Sequence, residues 1–320
     1  CSSDLKVDWF NQMGFSIGMS HDGPLHAQNR GPDPLDEGPA KDAVVYALKT
    51  MGMTRFTFNC VLTRENVSIP AVRDFIIKKL NKKIQGYENP GVDQREIQVT
   101  TEELMLPYDD SGMAHSLQTT DEKKEILHTL FEETIDNKNQ FSWTIYQKIK
   151  SFYESIVYGR PAEAVGQKCG MDKEDNIAID MKGNATTCQN TSSLTKHNIG
   201  NIEDFDNIRL TNSYHWSTRK ECPSCPVVQL CQGACLFLED QYWEQACENL
   251  FWYNLAMLSA GLFKMTDGLV LTEIKGDRIR FDGVTSIPVI DIEYMKTGVK
   301  SWKVRKPINI PVVQVPVEPR

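Results

Sequence analysis

Seven cysteines fall between residues 169 and 247, and no other feature restricts the fold of this chain so tightly. Cys169 is followed by Gly183 and Cys188 in the order Cys-x13-Gly-x4-Cys. Cys222, Cys225, Cys231 and Cys235 then read Cys-x2-Cys-x5-Cys-x3-Cys, with Cys247 beyond them. Thiolates are soft ligands, and four converging on one point select zinc or iron–sulfur. Seven is too many for one tetrahedral centre and suits two. Structural zinc sites usually come as two Cys-x2-4-Cys knuckles separated by a longer spacer. Here four thiols lie within fourteen residues joined by short loops, which suits the larger, cube-shaped iron–sulfur cluster. The spacing therefore favours iron–sulfur and leaves structural zinc as the alternative.

Disulfides are the other use of cysteine. The total of nine is odd, the chain is large, and no secretory segment is visible, so a disulfide framework is disfavoured. Cys60 lies in the apolar run Phe56-Thr57-Phe58-Asn59-Cys60-Val61-Leu62 and reads as a buried strand residue acting as a small hydrophobe. Cys1 is too close to the terminus to interpret. The chain opens on Cys1 and not Met, so a processed protein or a piece of a longer one is expected.

With 320 residues and 40 % apolar content, the chain can bury a core in one large domain or two. A formal charge of -8 argues against a nucleic-acid partner, which needs a basic surface. The basic run Lys300, Lys303, Arg305 and Lys306 reads as a solvated edge. No stretch is long enough to span a membrane and no signal peptide is evident. A cytoplasmic location follows as the expectation, since exposed clusters survive best in a reducing compartment.

The periodicity of the first 107 residues alternates helix with strand. An amphipathic helix is expected over Asp4–Met13, a short strand over Phe15–Ser20 and a loop from His21 to Glu37. Helix is expected again over 39–51 with Pro39 in its first turn, then strand over 53–62. Ser68 and Pro70 open a helix to about Ile84, and a third extended run covers Glu96–Leu106. This alternation implies α/β structure with a parallel sheet. Three strands alone would leave an apolar edge open, so the region reads as half of a domain. Two helical blocks follow between Asp121 and Tyr158, broken near Asn137-Lys138-Asn139, the second marked by Phe141 and Trp143. The cysteine region is loop-rich, with a hairpin where 176–180 and 184–187 flank Met181-Lys182-Gly183. A long amphipathic helix is expected over Glu239–Phe263. Strands at Leu269–Ile274 and Arg278–Phe281 would surround a Lys-Gly-Asp turn, and the tail after Pro307 would be extended.

The cysteine order, with Ile199-Gly200-Asn201-Ile202 between the two groups and Leu230-Cys231-Gln232-Gly233-Ala234-Cys235 at the end, resembles the SPASM domain of radical S-adenosylmethionine enzymes. The family more often has glycine where this chain has Gln232 and Ala234. Residues 4–107 are similar to the second half of the family's catalytic barrel: Met19-Ser20-His21-Asp22-Gly23-Pro24 resembles its Ser-x-Asp-Gly-Pro, with His26 and Arg30 following as they do there. The implied architecture is the C-terminal half of a partial (β/α)6 TIM-like barrel over 1–115 and a helical linker over 116–164. A loop-rich SPASM domain with a small β-hairpin then covers 165–250, and a C-terminal helix with an extended β tail covers 251–320.

The resemblance also implies cofactors. Cys222, Cys225, Cys231 and Cys247 would hold one auxiliary [4Fe-4S] cluster, and Cys169, Cys188 and Cys235 a second with an open or non-cysteine site. Ser20, Asp22 and Arg30 would help bind S-adenosylmethionine at the barrel rim. The family's third, radical-forming cluster needs Cys-x3-Cys-x2-Cys, which these residues lack. S-adenosylmethionine and that cluster would therefore require an N-terminal barrel half in the same or a separate chain. An electron donor such as a flavodoxin or ferredoxin is a further implied partner.

If completed, such an enzyme would abstract hydrogen from a peptide or protein substrate through a 5'-deoxyadenosyl radical. In sulfatase-maturing relatives the residue after the cysteine matching Cys188 is an aspartate base. Here it is Gln189, which takes no proton at neutral pH, so sulfatase maturation is disfavoured. Carbohydrate substrates stay open, as does a non-catalytic role as an electron-transfer or peptide-binding subunit.

Overall fold

A computed structural model describes residues 2–52, 54–81, 97–138, 142–159, 167–170, 176–210, 215–277 and 279–293. The chain divides into two compact units, Cys1–Met105 with Leu117–Lys150, and Leu106–Ser116 with Ser151–Arg320. It is a mixed α/β protein with one small parallel sheet and small antiparallel sheets, and no closed barrel forms among the described residues. No helix among them is long and apolar enough to cross a membrane. Cys1, residues 82–96, Asn139, Phe141, Arg278, the basic run at 300–306 and the tail after Pro307 lie outside the described residues.

The first unit is built on strands β1 (Ile17–Ser20), β2 (Phe56–Leu62) and β3 (Val99–Leu104), all parallel in the order β1-β2-β3. β2 alternates buried and half-buried residues along its length. Phe56, Phe58, Cys60 and Leu62 form its core face, with Cys60 fully buried and its thiol pushed up to about 12 by burial. Thr57, Asn59 and Val61 look to the other, less covered side. Helix α1 (Ser2–Gln12) packs on α3 (Pro39–Met51); α3 and α4 (Ile69–Leu80) pack on β2, and α4 also on β3. Ser68 caps α4 by accepting from the Ala71 N–H at 3.1 Å, as the sequence around Pro70 predicts.

Helix α6 (Thr120–Ile135) adds Ile126, Leu127, Leu130 and Phe131 to the core, all fully buried. Its start is a capping box of Thr119 and Glu122. Arg64 pairs with Glu122, and Ser68 hydrogen-bonds Glu133, which fixes α6 beside the start of α4. Helix α7 spans Trp143–Val157, and its Thr144 hydroxyl donates to Thr101 O at 2.7 Å.

The expected loop over 21–37 contains a single 3-10 turn (Gly23–Leu25) and a short helix, α2 (His26–Arg30). The buried imidazole of His21 organises it. Its Nδ1 accepts the Gly23 N–H at 3.0 Å, so Nε2 carries the proton and donates to Asp33 at 3.0 Å. The His26 ring stacks on it with centroids 4.3 Å apart. Asp33 also accepts from the Leu35 N–H and pairs with Lys79.

Burial pushes the His21 imidazole below its ordinary value, against the pull of Asp33. The sign follows directly: above about pH 6.5 the ring is neutral in both folded and unfolded chain. Below that the unfolded chain takes the proton first, so stability drains as pH falls. Moving the cluster-free protein from pH 7.5 to 5.5 should lower its Tm more than it lowers that of His21→Gln, as read by thermal unfolding.

Candidate metal centre

The second unit carries all the clustered cysteines. Its small sheet runs β4 (Ala178–Ile179), β5 (Asn184–Thr186) and β6 (Asn198–Asn201), antiparallel in that order. The β4–β5 hairpin matches the sequence expectation, whereas β6, over Asn198-Ile199-Gly200-Asn201, is an added strand. Asp180 shapes the hairpin turn, accepting N–H groups from Lys182 at 2.7 Å and Asn184 at 3.0 Å. The Ser193 hydroxyl, then the Asn184 amide, hold its carboxyl well below the usual carboxylate range. Cys188 follows β5 in a turn fixed by Thr186 and Thr191, whose hydroxyls donate to its carbonyl at 3.1 and 2.7 Å. The Asn190 N–H points at the Cys188 sulfur, 3.4 Å away.

Cys222 and Cys225 share one tight turn, closed by Cys225 N–H to Cys222 O at 3.0 Å. Cys231 ends the one-turn helix α8 (Val228–Cys231). Cys247 lies near the start of α9 (Asp240–Met265), a helix whose extent agrees with expectation. Its expected amphipathicity does not hold, since from Asn249 to Phe263 it is buried on nearly every side. Beyond it, β7 (Glu273–Lys275) pairs with β8 (Ser286–Pro288). Of the strand expected at 278–281, residues 279–281 lie instead in the connecting loop, where Gly283 N–H bonds Arg280 O.

All eight described cysteines are free. The seven clustered ones sort by their mutual electrostatics. Burial first, then Cys231 and Cys225, push the Cys222 thiol up to about 12. Burial, then Cys231, push Cys225 to about 12, against a backbone N–H and Arg280. Cys247 rises through burial and then Cys231, Cys225 and Cys222. Cys188 instead rises through burial, then Cys235 and Cys169, against the Asn190 N–H. Cys222, Cys225 and Cys247 thus have Cys231 as an electrostatic neighbour, whereas Cys188 has Cys235 and Cys169.

Neither set is drawn onto a point. Among the described residues no three His, Cys, Asp or Glu side chains converge closely enough to hold a single metal ion. Tetrahedral zinc with Zn–S near 2.3 Å would bring sulfurs to roughly 3.8 Å of one another.

Three groups that the sequence pattern left unmarked shape the two sets. Arg219 donates to the carbonyls of Cys235, Leu236 and Leu238 at 3.1, 2.9 and 3.3 Å. Its guanidinium also lies 3.4 Å over the Trp243 ring. Arg280 pairs with Glu248 at 2.7 Å, stacks over Phe251 and supplies positive charge to Cys225 and Cys247. The Tyr108 hydroxyl reaches Cys235 Sγ at 3.3 Å. Tyr108 and Arg280 arrive from segments distant in sequence, while Arg219 lies three residues before Cys222 and reaches across to the carbonyl of Cys235.

Asp22 and Arg30, expected at a cofactor rim, bind one another: Arg30 Nε donates to Asp22 Oδ2 at 2.7 Å and Nη2 to Oδ1 at 3.3 Å. Asp22 is buried, while Arg30 keeps an exposed side. Ser20 is exposed at the C-terminal end of β1. Gln189 lines a groove of about 480 Å3 with Ile179, Asp180, Met181, Thr191 and Leu194 among its neighbours.

Comparison with known proteins returns no match, neither a family model nor a curated protein.

The turn between Cys231 and Cys235 gives one prediction. Gln232, Gly233 and Ala234 have φ of 53°, 75° and 54°, a left-handed run that disfavours side chains. A Cβ on Gly233 would sit 2.2 Å from Trp216 Cβ. Gly233→Ala should abolish folding of this unit, whereas Ala234→Gly should stabilise it by about 1 kcal/mol, both read by urea unfolding. The raised thiols give another. At pH 8 a thiol pushed up to about 12 is almost wholly protonated, so in cluster-free protein Cys222 and Cys225 should alkylate far more slowly than exposed Cys169. Mass spectrometry of iodoacetamide-treated protein should show that order, with rates climbing about tenfold per pH unit.

Proposed function

We propose that this chain is the auxiliary-cluster portion of a radical S-adenosylmethionine enzyme that modifies a peptide or protein. In this reading Cys222, Cys225, Cys231 and Cys247 hold one [4Fe-4S] cluster, and Cys169, Cys188 and Cys235 hold a second. The observation that carries it is the division of seven thiols into a four and a three along the lines the motif implies. Cys231 and Cys235 are near neighbours in sequence, yet they go to different sets. A single zinc knuckle gives no reason for that separation.

When bound, such clusters supply one-electron transfer at potentials set by charge, hydrogen bonds and solvent exposure. The chain's own residues set those conditions. Arg280 brings positive charge to the four-thiol set, and burial excludes water from Cys222. The Asn190 N–H and the Tyr108 hydroxyl reach sulfurs of the three-thiol set. Because the thiols are held high, metal binding must displace protons, and uptake should be favoured by raising pH. The groove beside Gln189 is of a size that admits a side chain with its flanking backbone. Its amide orients a substrate without taking a proton from it.

The parallel sheet belongs to the reading as one half of the catalytic barrel. Ser20 at the end of β1 and the exposed side of Arg30 would face the S-adenosylmethionine site, with Asp22 orienting Arg30. These 320 residues contain no Cys-x3-Cys-x2-Cys, so radical formation needs that triad from another stretch of polypeptide. With an N-terminal half and a flavodoxin- or ferredoxin-type donor, the assembly modifies its peptide in the cytoplasm.

Anaerobic reconstitution followed by iron and sulfide analysis tests the proposal. About eight irons and eight sulfides per chain are expected, with little zinc. Cys235→Ala should retain about half of both and keep the signal of the four-thiol cluster. One or two zinc ions without sulfide, or equal loss of both clusters in that variant, would overturn the assignment.

A further inference from the structure

The three-thiol set has a neighbour that no part of the cysteine motif accounts for. Residues 106–116 follow β3 in sequence but belong to the compact unit of the cysteines. This segment is pinned at two points. Asp109 caps the short helix α5 (Asp110–Ala114) by accepting the Gly112 N–H at 2.8 Å, and Tyr242 on α9 donates to Asp110 at 3.0 Å. Tyr108 is thereby held with its hydroxyl 3.3 Å from Cys235 Sγ.

On the neighbouring ligand, the Asn190 backbone N–H points at Cys188 Sγ at 3.4 Å. A phenol carries a single proton, and here the hydroxyl is directed at the Cys235 sulfur. Two thiols of the set therefore each face one donor. Such outer contacts orient ligands and tune the metal they hold.

Resting on the reading of Cys169, Cys188 and Cys235 as cluster ligands, we infer that Tyr108 is a positioning residue of that cluster, donating a hydrogen bond to the Cys235 thiolate and raising the cluster's reduction potential. A donor to a ligand sulfur stabilises the electron-rich, reduced form more than the oxidised one. Tyr108 is not itself a metal ligand in this assignment, because its oxygen lies at hydrogen-bonding distance from a ligand sulfur.

The test is an EPR-monitored redox titration of the full chain reconstituted with iron and sulfide, the two signals being assigned through Cys235→Ala. Tyr108→Phe should make one-electron reduction of the three-thiol cluster about tenfold less favourable, a midpoint lower by about 59 mV. The midpoint of the four-thiol cluster should stay where it was. Site-specific 3-fluorotyrosine at position 108, a stronger donor of nearly the same shape, should move the same midpoint upward, whether or not the Phe variant assembles.

Unchanged midpoints in both variants would overturn the inference while leaving the two-cluster reading intact. Equal shifts of both clusters would overturn it as well, since loosened packing would then be the cause. Loss of one iron in Tyr108→Phe would replace hydrogen bonding with phenolate ligation. A wild-type chain that takes up no sulfide would fail at the earlier step and take the cluster reading with it.

Discussion

A left-handed run of three residues, Gln232-Gly233-Ala234, separates the two sets of sulfur. Helix α8 presents Cys231 to one set, and continued helical winding would carry the following residues round the same axis. The reversal at 232–234 turns the chain instead, and Cys235 emerges beside Cys188 and Cys169. Arg219 secures the exit by gripping three carbonyls downstream of the turn while lying flat on Trp243. Two of the three positions carry side chains that backbone geometry discourages. The steric wall of Trp216 leaves the middle one no choice but glycine. Glycine at either flanking position would relieve that strain.

Charge is the second organiser. Gathering sulfur in a poorly solvated region costs free energy if it ionises, which is why the thiols there stay protonated without metal. Arg219 lowers that cost at Cys222, and Arg280 at Cys225 and Cys247. Neither arginine is wholly committed to the sulfurs, since each is anchored by carbonyls, by a carboxylate or by an aromatic face. Their position is therefore set by the protein fold, and the thiols inherit a prepared field.

Local signals made the parallel sheet legible: the apolar run over 56–62, the Ser68 cap, and Pro39 at a helix start all translate directly into structure. Long-range partners did not show, because Tyr108 and Arg280 meet the cysteines only in three dimensions, as does Arg219 at Cys235. Helix α9 misled for a different reason. Amphipathicity was expected along it, yet its Asn254 and Ser259 are buried and donate back to Leu250 O and Leu255 O on their own helix at 2.7 Å. Satisfied internally, a polar residue no longer marks an exterior. The β7–β8 hairpin was placed too early because Lys275-Gly276-Asp277 opens a long loop rather than closing a short one.

The reach of Arg280 back to Glu248 has a temporal corollary. A ribosome delivers the last cysteine of the four-thiol set well before it delivers the cation that balances them. During that interval Arg219 already stands beside Cys222, while Cys225 and Cys247 still lack a neighbouring cation. Only completion of the segment bearing Arg280 supplies it, so the charge balance around these thiols is the last feature of the region to be laid down.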